Sequence, residues 1–254
     1  MNIRETLFRA WYWYVNKKDK NAEILFMNYG YEDNRCPVNL AKEDESNRYS
    51  IQLYHHLTSL VDLKSKDILE IGCGRGGGLA HTVKTFNPAS AKGVDLDKVA
   101  VSFCNRHYLH DNLNFVRGDA QNLPLADNSY DVILNVESSH RYPNMDAFLG
   151  EVKRLLRPGG FFLYTDFRYP HEMDDLKDQL KNTEMEVLHE TDITPYVVNA
   201  LELDDRRRRS LVEKLTPKII HKTALNFAGT VGSPTYNQFA SREYIYYSYI
   251  LKNN

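Results

Sequence analysis

Apolar runs of strand length alternate with amphipathic stretches of helical period along most of the chain. The runs lie at Ile68–Ile71, Ala91–Asp95, Leu113–Val116, Tyr130–Val136 and Phe161–Thr165. Each is long enough for one strand, and the run at Tyr130–Val136 is apolar enough to be buried on both faces of a sheet. Strands that alternate with helices at this spacing predict an α/β fold with a doubly wound, mostly parallel sheet.

The two ends of the chain extend this core. Helical periods predict helices over Ile3–Val15 and Glu45–Leu63 before the first strand, and over Val197–Leu215 after the fifth. Glu186–Ile193 and Glu243–Leu251 have the pattern of a sixth and a last strand. We therefore expect one domain with a seven-stranded sheet, built from a helical N-terminal segment (1–63), a core (64–194), a helical insert (195–241) and a final strand (242–254).

Local signals refine this outline. Asp97 is placed to cap the N-terminus of a helix over Lys98–Tyr108, and a Pro-Gly-Gly sequence ends a helix over Met145–Leu156. Two glycines and a proline predict a loop over Ala228–Thr235. The charge run Asp204–Arg209 lies inside a predicted helix, so we expect a solvated helix face rather than a nucleic-acid patch.

Composition excludes several classes of function. The 254 residues suit one large domain, and the formal net charge of −2 gives no broad basic field for nucleic acid. Three cysteines without a C-x-x-C spacing argue against a disulfide framework and a zinc site. No signal peptide is recognisable, and no stretch approaches about 18 uninterrupted apolar residues. The sequence predicts a cytoplasmic protein with no stable membrane insertion; a homodimer is compatible with it.

The glycine-rich stretch Lys66–Gly78, KDILEIGCGRGGG, joins the first strand to a helix and predicts a ligand-binding βα turn. Two patterns fit it. Gly72, Gly74 and Gly77 match the dinucleotide fingerprint G-x-G-x-x-G. Glu70 with Gly72, Gly74 and Gly76 matches E-x-G-x-G-x-G, the first motif of S-adenosylmethionine (SAM) methyltransferases. The Glu70 carboxylate favours the second, because it would repel a pyrophosphate but suits a ligand with an ammonium and a sulfonium.

Three further blocks follow in order: GVDLD, GDAQNLPLADNSYDVI and RLLRPGGFFLYTD. With EIGCGRGG they resemble the class I SAM-dependent methyltransferases over roughly Asp67 to Asp166. The resemblance implies a Rossmann-like methyltransferase fold, SAM as cofactor and S-adenosylhomocysteine as product. The implied cofactor-binding residues are Tyr31, Glu70, Gly72, Gly74, Gly76, Asp95, Leu96, Asp119, Ala120 and Asn135.

Each of these positions has an expected role. Asp95 closes the second strand, where a carboxylate accepts from both ribose hydroxyls. By resemblance, Asp119 accepts from the adenine amino group, the Ala120 N–H donates to the ring and Leu96 packs on the adenine face. The carbonyl of Asn135 is expected to accept from the methionine ammonium, and Tyr31 lies in a segment expected to fold over the methionine end.

The segment after the fourth strand carries the expected catalytic group, His140. It leaves the carboxyl edge of the sheet, where ligands bind in open α/β folds, and its ordinary pKa near 6.5 suits a general base. Asp166 ends the fifth strand on the same edge and is expected to orient the imidazole. No His/Asp cluster indicates a metal site, although a magnesium-assisted variant using Asp166 stays open.

The blocks NVESSH, MNYGY and DITPYVVNAL sharpen the resemblance to small-molecule O-methyltransferases of the phthiotriolone and glycopeptidolipid branch. In that family the N-terminal segment, here Met1–Leu63, and an insert before the last strand, here Pro195–Ser241, cover the site. The resemblance implies methyl transfer to a hydroxyl of a small-molecule or lipid or polyketide-type natural product. N- or C-methylation, a nucleic-acid or protein acceptor, and a SAM-binding protein without catalysis are the alternatives.

Overall fold

The computed structural model describes Tyr14, Lys18, Asp19 and residues 22–35 and 37–254. The predicted helix Ile3–Val15 lies outside the described residues, apart from Tyr14. The strands are β1 (Asp67–Ile71), β2 (Ser90–Asp95), β3 (Leu113–Arg117), β4 (Tyr130–Val136), β5 (Leu156–Arg168), β6 (Glu186–Asp192) and β7 (Ile245–Lys252). They form one seven-stranded sheet in the order β3-β2-β1-β4-β5-β7-β6. Only β7 runs antiparallel to its neighbours in that sheet, so the predicted mostly parallel sheet is confirmed.

Helices cover both faces of this sheet. They are α1 (Arg48–Thr58), α2 (Gly77–Phe86), α3 (Lys98–His107), α4 (Met145–Leu155), α5 (Pro170–Asn182), α6 (Thr194–Leu215), α7 (His221–Phe227) and α8 (Pro234–Ala240), with short 3₁₀ turns at Glu45–Asn47, Ser139–Arg141 and Lys218–Ile220. The Asp97 side chain caps α3 by accepting from the Val99 N–H at 2.7 Å, as predicted. No helix in the described part of the chain is long and apolar enough to cross a membrane.

Three local predictions differ from the structure. The helix predicted over Glu45–Leu63 ends at Thr58, and the strand predicted over Phe161–Thr165 runs from Leu156 to Arg168. The Pro-Gly-Gly sequence does end α4 but continues as strand, because the Gly159 N–H donates to the Asn253 carbonyl and the Asn253 N–H donates to the Gly160 carbonyl, at 2.6 and 2.8 Å. The antiparallel partner β7 therefore lengthens β5 beyond its apolar run.

Two stretches without a predicted helix are helical. α5 buries Met173, Leu176 and Leu180. Their spacing of three and four residues is a helical signal in the sequence. The predicted loop Ala228–Thr235 separates α7 from α8, and only its last two residues belong to a helix. The insert between β6 and β7 is therefore three helices rather than one helix and a loop.

Parallel pairing brings the carboxyl ends of β1, β2, β4 and β5 to one edge of the sheet. The segment 22–33 and helix α6 lie beside that edge: the Glu32 N–H donates to the Tyr196 carbonyl at 3.1 Å, and the Arg208 side chain donates to the Tyr29 carbonyl at 2.9 Å. The N-terminal segment and the insert are thus hydrogen-bonded to each other beside the edge where ligands bind in such sheets.

Candidate functional site

The glycine turn is closed against β2. The Gly72 N–H donates to the Val94 carbonyl at 2.8 Å, and the Gly74 N–H donates to the Asp95 carboxylate at 2.9 Å. Gly72 has φ +77°, and a Cβ there would lie 2.3 Å from the Ser138 Oγ, so only glycine fits. Asp95 is therefore hydrogen-bonded to the glycine turn.

Glu70 lies completely buried under this turn. The Tyr54 hydroxyl donates to its Oε1 at 2.6 Å, while its Oε2 is buried without a hydrogen-bond partner. Burial raises the pKa of Glu70 to about 7; the bond from Tyr54 opposes this rise and the charge of Asp95 adds to it. A cationic group near Oε2 would relieve both the missing hydrogen bond and the buried charge.

A second unpartnered acceptor belongs to Asn135, at the end of β4. Its Nδ2 donates to the Ile71 carbonyl and the Ser138 Oγ, both at 2.8 Å, and its Oδ1 is buried without a partner. The sequence predicts that the carbonyl of Asn135 accepts from the methionine ammonium. The structure adds the side-chain oxygen as a candidate for the same task, since buried acceptors without donors are rare.

Gly76 and Gly78 serve close packing. A Cβ on Gly76 would lie 2.9 Å from the Phe115 ring, and a Cβ on Gly78 would lie 1.8 Å from the Tyr54 ring. The contact with Tyr54 also fixes the hydroxyl that bonds Glu70. The predicted contact of Gly76 with the cofactor stays a prediction.

The remaining predicted cofactor contacts lie farther along the same edge. Leu96 is 52% exposed after β2, and Asp119 is exposed after β3, where it accepts from the Gln121 backbone and side chain at 3.0 and 3.1 Å. Ala120 is half-buried beside it. The Tyr31 ring instead packs between His56 and Tyr196, at centroid distances of 4.3 and 5.1 Å. The assigned roles of all four predicted residues stay predictions.

His140 and Asp166 come together as expected. The imidazole Nδ1 lies 2.8 Å from Asp166 Oδ1, and the Arg141 Nε–H donates to the imidazole Nε2 at 3.0 Å. The carboxylate also accepts from the Ser139 hydroxyl, and Arg168 forms an ion pair with it at 3.2 Å. Asp166 therefore holds the proton on Nδ1 and leaves the lone pair on Nε2. In the described part of the chain, no group of three His, Cys, Asp or Glu residues is placed to hold a metal ion.

Their protonation states suit a base and its orienting carboxylate. Burial lowers the pKa of His140 to about 4, against the opposing charge of Asp166. Burial alone would raise the pKa of Asp166, but the charges and hydrogen bonds of His140 and Arg168 hold it below its ordinary value. At neutral pH the pair is a neutral imidazole beside a carboxylate.

The structure adds Glu137, which the sequence analysis did not single out. Its φ is +52°, a left-handed conformation that non-glycine residues seldom adopt, and its Oε2 accepts from the Tyr29 N–H at 2.7 Å. Burial raises its pKa to about 8; the Tyr29 N–H opposes this rise and the charge of Asp166 adds to it. An acidic residue in the loop three positions before His140 was the available signal.

The charge run on α6 corrects the prediction of a solvated face. Asp204 is 4% exposed and Arg208 is 8% exposed, and they pair at 2.9 Å. Arg208 donates to the carbonyls of Tyr29 and Ala228, both at 2.9 Å, and so joins α6 to the N-terminal segment. Their spacing of four residues puts both on one helix face, and the tertiary contacts bury that face.

Known proteins of similar sequence show the family of this chain. A fatty-acid O-methyltransferase from Mycolicibacterium smegmatis is 42% identical over 210 residues, which cover 82% of this chain and 77% of that protein. The chain belongs to the SAM-dependent methyltransferases. A phthiotriol/phenolphthiotriol dimycocerosates methyltransferase from Mycobacterium tuberculosis is 39% identical, over 89% of this methyltransferase and 84% of that protein. The family described as "Methyltransferase domain" matches residues 69–164.

Solved structures confirm the fold of the methyltransferase. A putative sarcosine dimethylglycine methyltransferase from Galdieria sulphuraria superposes with a TM-score of 0.69 at 17% identity, over 99% of this chain and 98% of that one. Geranyl diphosphate C-methyltransferase from Streptomyces coelicolor A3(2) superposes with a TM-score of 0.68 at 15% identity, over 98% of each chain.

The residues present fit the SAM cofactor of this enzyme. Its ammonium and sulfonium groups are cationic, and β1 and β4 offer two buried unpartnered oxygens near the turn, Glu70 Oε2 and Asn135 Oδ1. Asp95 ends the neighbouring strand β2 and accepts from the Gly74 N–H of the turn.

Proposed function

We propose that this methyltransferase transfers the methyl group of SAM to a hydroxyl of a lipid or polyketide-type small molecule. The observation that carries the proposal is the His140–Asp166 pair, in which the imidazole is neutral at physiological pH and its Nε2 lone pair faces away from the carboxylate. An unionised hydroxyl needs such a proton acceptor, whereas an acceptor that is already an anion does not. The curated relatives are named for fatty-acid and phthiotriol substrates, which supports a lipid acceptor.

SAM supplies an electrophilic methyl group when it is bound at the glycine turn. Glu70, Asn135 and Asp95 would hold it there. His140 Nε2 takes the proton of the acceptor hydroxyl, after the Arg141 Nε–H that donates to it moves aside. Asp166 stabilises the resulting imidazolium through its Nδ1–H and remains ionised. Alignment of the acceptor oxygen and exclusion of water provide the rest of the rate.

The N-terminal segment (1–63) and the insert (195–241) would act as cap and lid over the core (64–194), with the final strand (242–254) closing the sheet. The Arg208 contacts with the Asn28 and Tyr29 carbonyls support this division, because they tie lid to cap beside Glu137. Closure over the acceptor would then need both segments together. A truncation that removes Met1–Tyr31 should abolish turnover and weaken SAM binding.

A carboxylate acceptor is the second candidate. The Arg141 guanidinium lies beside His140 and offers a positive charge where an anionic oxygen would approach. The M. smegmatis relative is named for a fatty acid, whose carboxylate needs no base.

One assay separates the two acceptors. Methyl transfer from labelled SAM is measured with hexadecanol and with hexadecanoic acid, for the wild type, His140→Ala and Arg141→Gln. A hydroxyl acceptor predicts an ether product that is lost in His140→Ala. If His140→Ala still forms an ester product and Arg141→Gln does not, the acceptor is a carboxylate and not a hydroxyl. If the enzyme methylates neither compound but does methylate a shorter or aromatic alcohol, the proposal of a lipid acceptor is wrong.

A further inference from the structure

A largely apolar cavity of about 110 Å³ lies between the N-terminal segment and α6. Its apolar lining includes Ile24, Phe26, Leu211, Val212, Leu215 and Phe227. An apolar cavity of roughly 150 Å³ holds a molecule the size of benzene, so this space admits a short run of methylene groups. No residue of the glycine turn is among the described residues that line the cavity, although the lining residue Phe26 lies beside Gly77.

Among the described residues that line the cavity, one buried side-chain atom has no hydrogen-bond partner. Asn28 is 7% exposed and lines the cavity; its Nδ2 donates to the Ser50 carbonyl at 3.2 Å, and its Oδ1 is buried without a hydrogen-bond partner. The donor bond fixes which end of the amide is the oxygen. A buried acceptor without a donor destabilises the fold, and a hydroxyl that donates to it would remove that cost. The cavity therefore fits an apolar chain that carries a hydroxyl.

Packed aromatic side chains lie between the reacting groups and the cavity. Tyr29 lines it, and the Tyr29 ring packs on Phe167 at a centroid distance of 5.6 Å. The Phe167 ring in turn packs on the His140 imidazole at 4.5 Å. Arg208 lines the cavity and bonds the Tyr29 carbonyl, so the same side chain shapes the cavity wall and the cap. A long acceptor whose hydroxyl meets His140 would lie against this wall.

We propose that the cavity is a second binding site for the lipid acceptor. It takes a segment of the acyl chain remote from the methylated oxygen, and Asn28 Oδ1 accepts from a second hydroxyl on that segment. The inference rests on the proposed function, since it assigns the acceptor a long chain with two hydroxyls. It predicts that this methyltransferase prefers a hydroxylated long-chain acceptor to a plain one.

The test compares acceptors and variants. The acceptors are hexanol, hexadecanol and a set of hexadecanediols that differ in the position of the second hydroxyl. Val212→Trp fills the cavity, and Leu203→Trp is its control, because Leu203 is 52% exposed on the same helix. Asn28→Leu removes the acceptor oxygen. Melting temperature and SAM affinity verify that each variant folds.

The proposal predicts that at least one diol is methylated with a kcat/KM roughly tenfold or more above hexadecanol. Asn28→Leu should erase this preference and leave hexadecanol nearly unchanged. Val212→Trp should no longer methylate the long acceptors but should still methylate hexanol, while Leu203→Trp should methylate all of them. A wild type that shows no diol preference, or an Asn28→Leu variant that retains it, would overturn the proposal.

Direct binding separates this proposal from the proposed function. Calorimetry with the diols, in the presence of S-adenosylhomocysteine, is carried out on the wild type and the two Trp variants. Binding that Val212→Trp abolishes and Leu203→Trp retains supports the cavity even if no acceptor is methylated, in which case only the proposed function fails. If the wild type binds no diol, or if both Trp variants bind the diols equally well, the cavity is not a binding site for the acceptor.

Discussion

The identity of the proton acceptor can be decided by the pH dependence of the chemical step, because the two candidates titrate in different ranges. The pKa of His140 is lowered to about 4 and that of Glu137 is raised to about 8, both mainly by burial. An ordinary histidine would titrate near 6.5. At pH 7 neutral imidazole therefore exceeds imidazolium by about a thousandfold in this protein, rather than by about threefold.

These values give profiles that rise at different pH. With His140 as the base, the neutral form is active, so the rate is level above about pH 5 and falls only as pH drops toward about 4. With Glu137 as the base, the carboxylate is active, so the rate rises through about pH 8 and levels only above about pH 9. The His140 mechanism further predicts that His140→Ala slows methyl transfer by about 10²–10⁴-fold with SAM affinity nearly unchanged.

The assay is single-turnover methyl transfer to a confirmed hydroxyl acceptor, from about pH 5 to about pH 9, for the wild type, His140→Ala and Glu137→Gln. Asp166→Asn serves as the graded control, since it removes only the orienting charge and should cost less than His140→Ala. A rate for His140→Ala within a few-fold of the wild type would refute the reasoning. If the wild type then rises toward pH 8 and Glu137→Gln abolishes that rise, Glu137 takes the role.

Three further predictions concern the cofactor turn and the cap. Gly78→Ala should lower the free energy of unfolding by about 1–3 kcal/mol in denaturant titrations, because its Cβ would overlap the Tyr54 ring. Gly150→Ala, with open space around its Cβ inside α4, should instead raise it by about 0.4–1 kcal/mol; equal effects would contradict the packing argument. SAM binding should release a proton below about pH 7, because a bound cation lowers the raised pKa of Glu70. Calorimetry in two buffers of different ionisation enthalpy measures this release. Glu70→Gln should abolish it, and an unchanged release would exclude Glu70 as the source of the proton. Arg208→Met should raise the acceptor KM and lower the melting temperature while SAM affinity holds; an unchanged KM would separate the cap from acceptor binding.

The sequence by itself determined the core of the fold and the position of the site. Alternating strand and helix patterns specify a parallel sheet, since parallel strands need helical crossovers. Chain order then puts the Glu70 turn, Asn135, His140 and Asp166 at the carboxyl ends of strands, which meet at one edge whatever the side-chain details. The prediction that His140 meets Asp166 succeeded for this reason, and the distance of 2.8 Å between Nδ1 and Oδ1 confirms the pairing.

Only the tertiary structure decided what depends on burial from distant segments. The sequence predicts that Arg208 is solvated. In the structure it is buried and donates to the Tyr29 and Ala228 carbonyls, which belong to other parts of the chain. Glu137 reads as an ordinary loop carboxylate, yet burial raises its pKa, and the Tyr29 N–H of the N-terminal segment donates to it. Burial also lowers the pKa of His140, whose imidazole packs on Phe167 and bonds Asp166. Desolvation is a property of surroundings assembled from the whole chain, so local pattern sets where a side chain lies and the packed fold sets its charge.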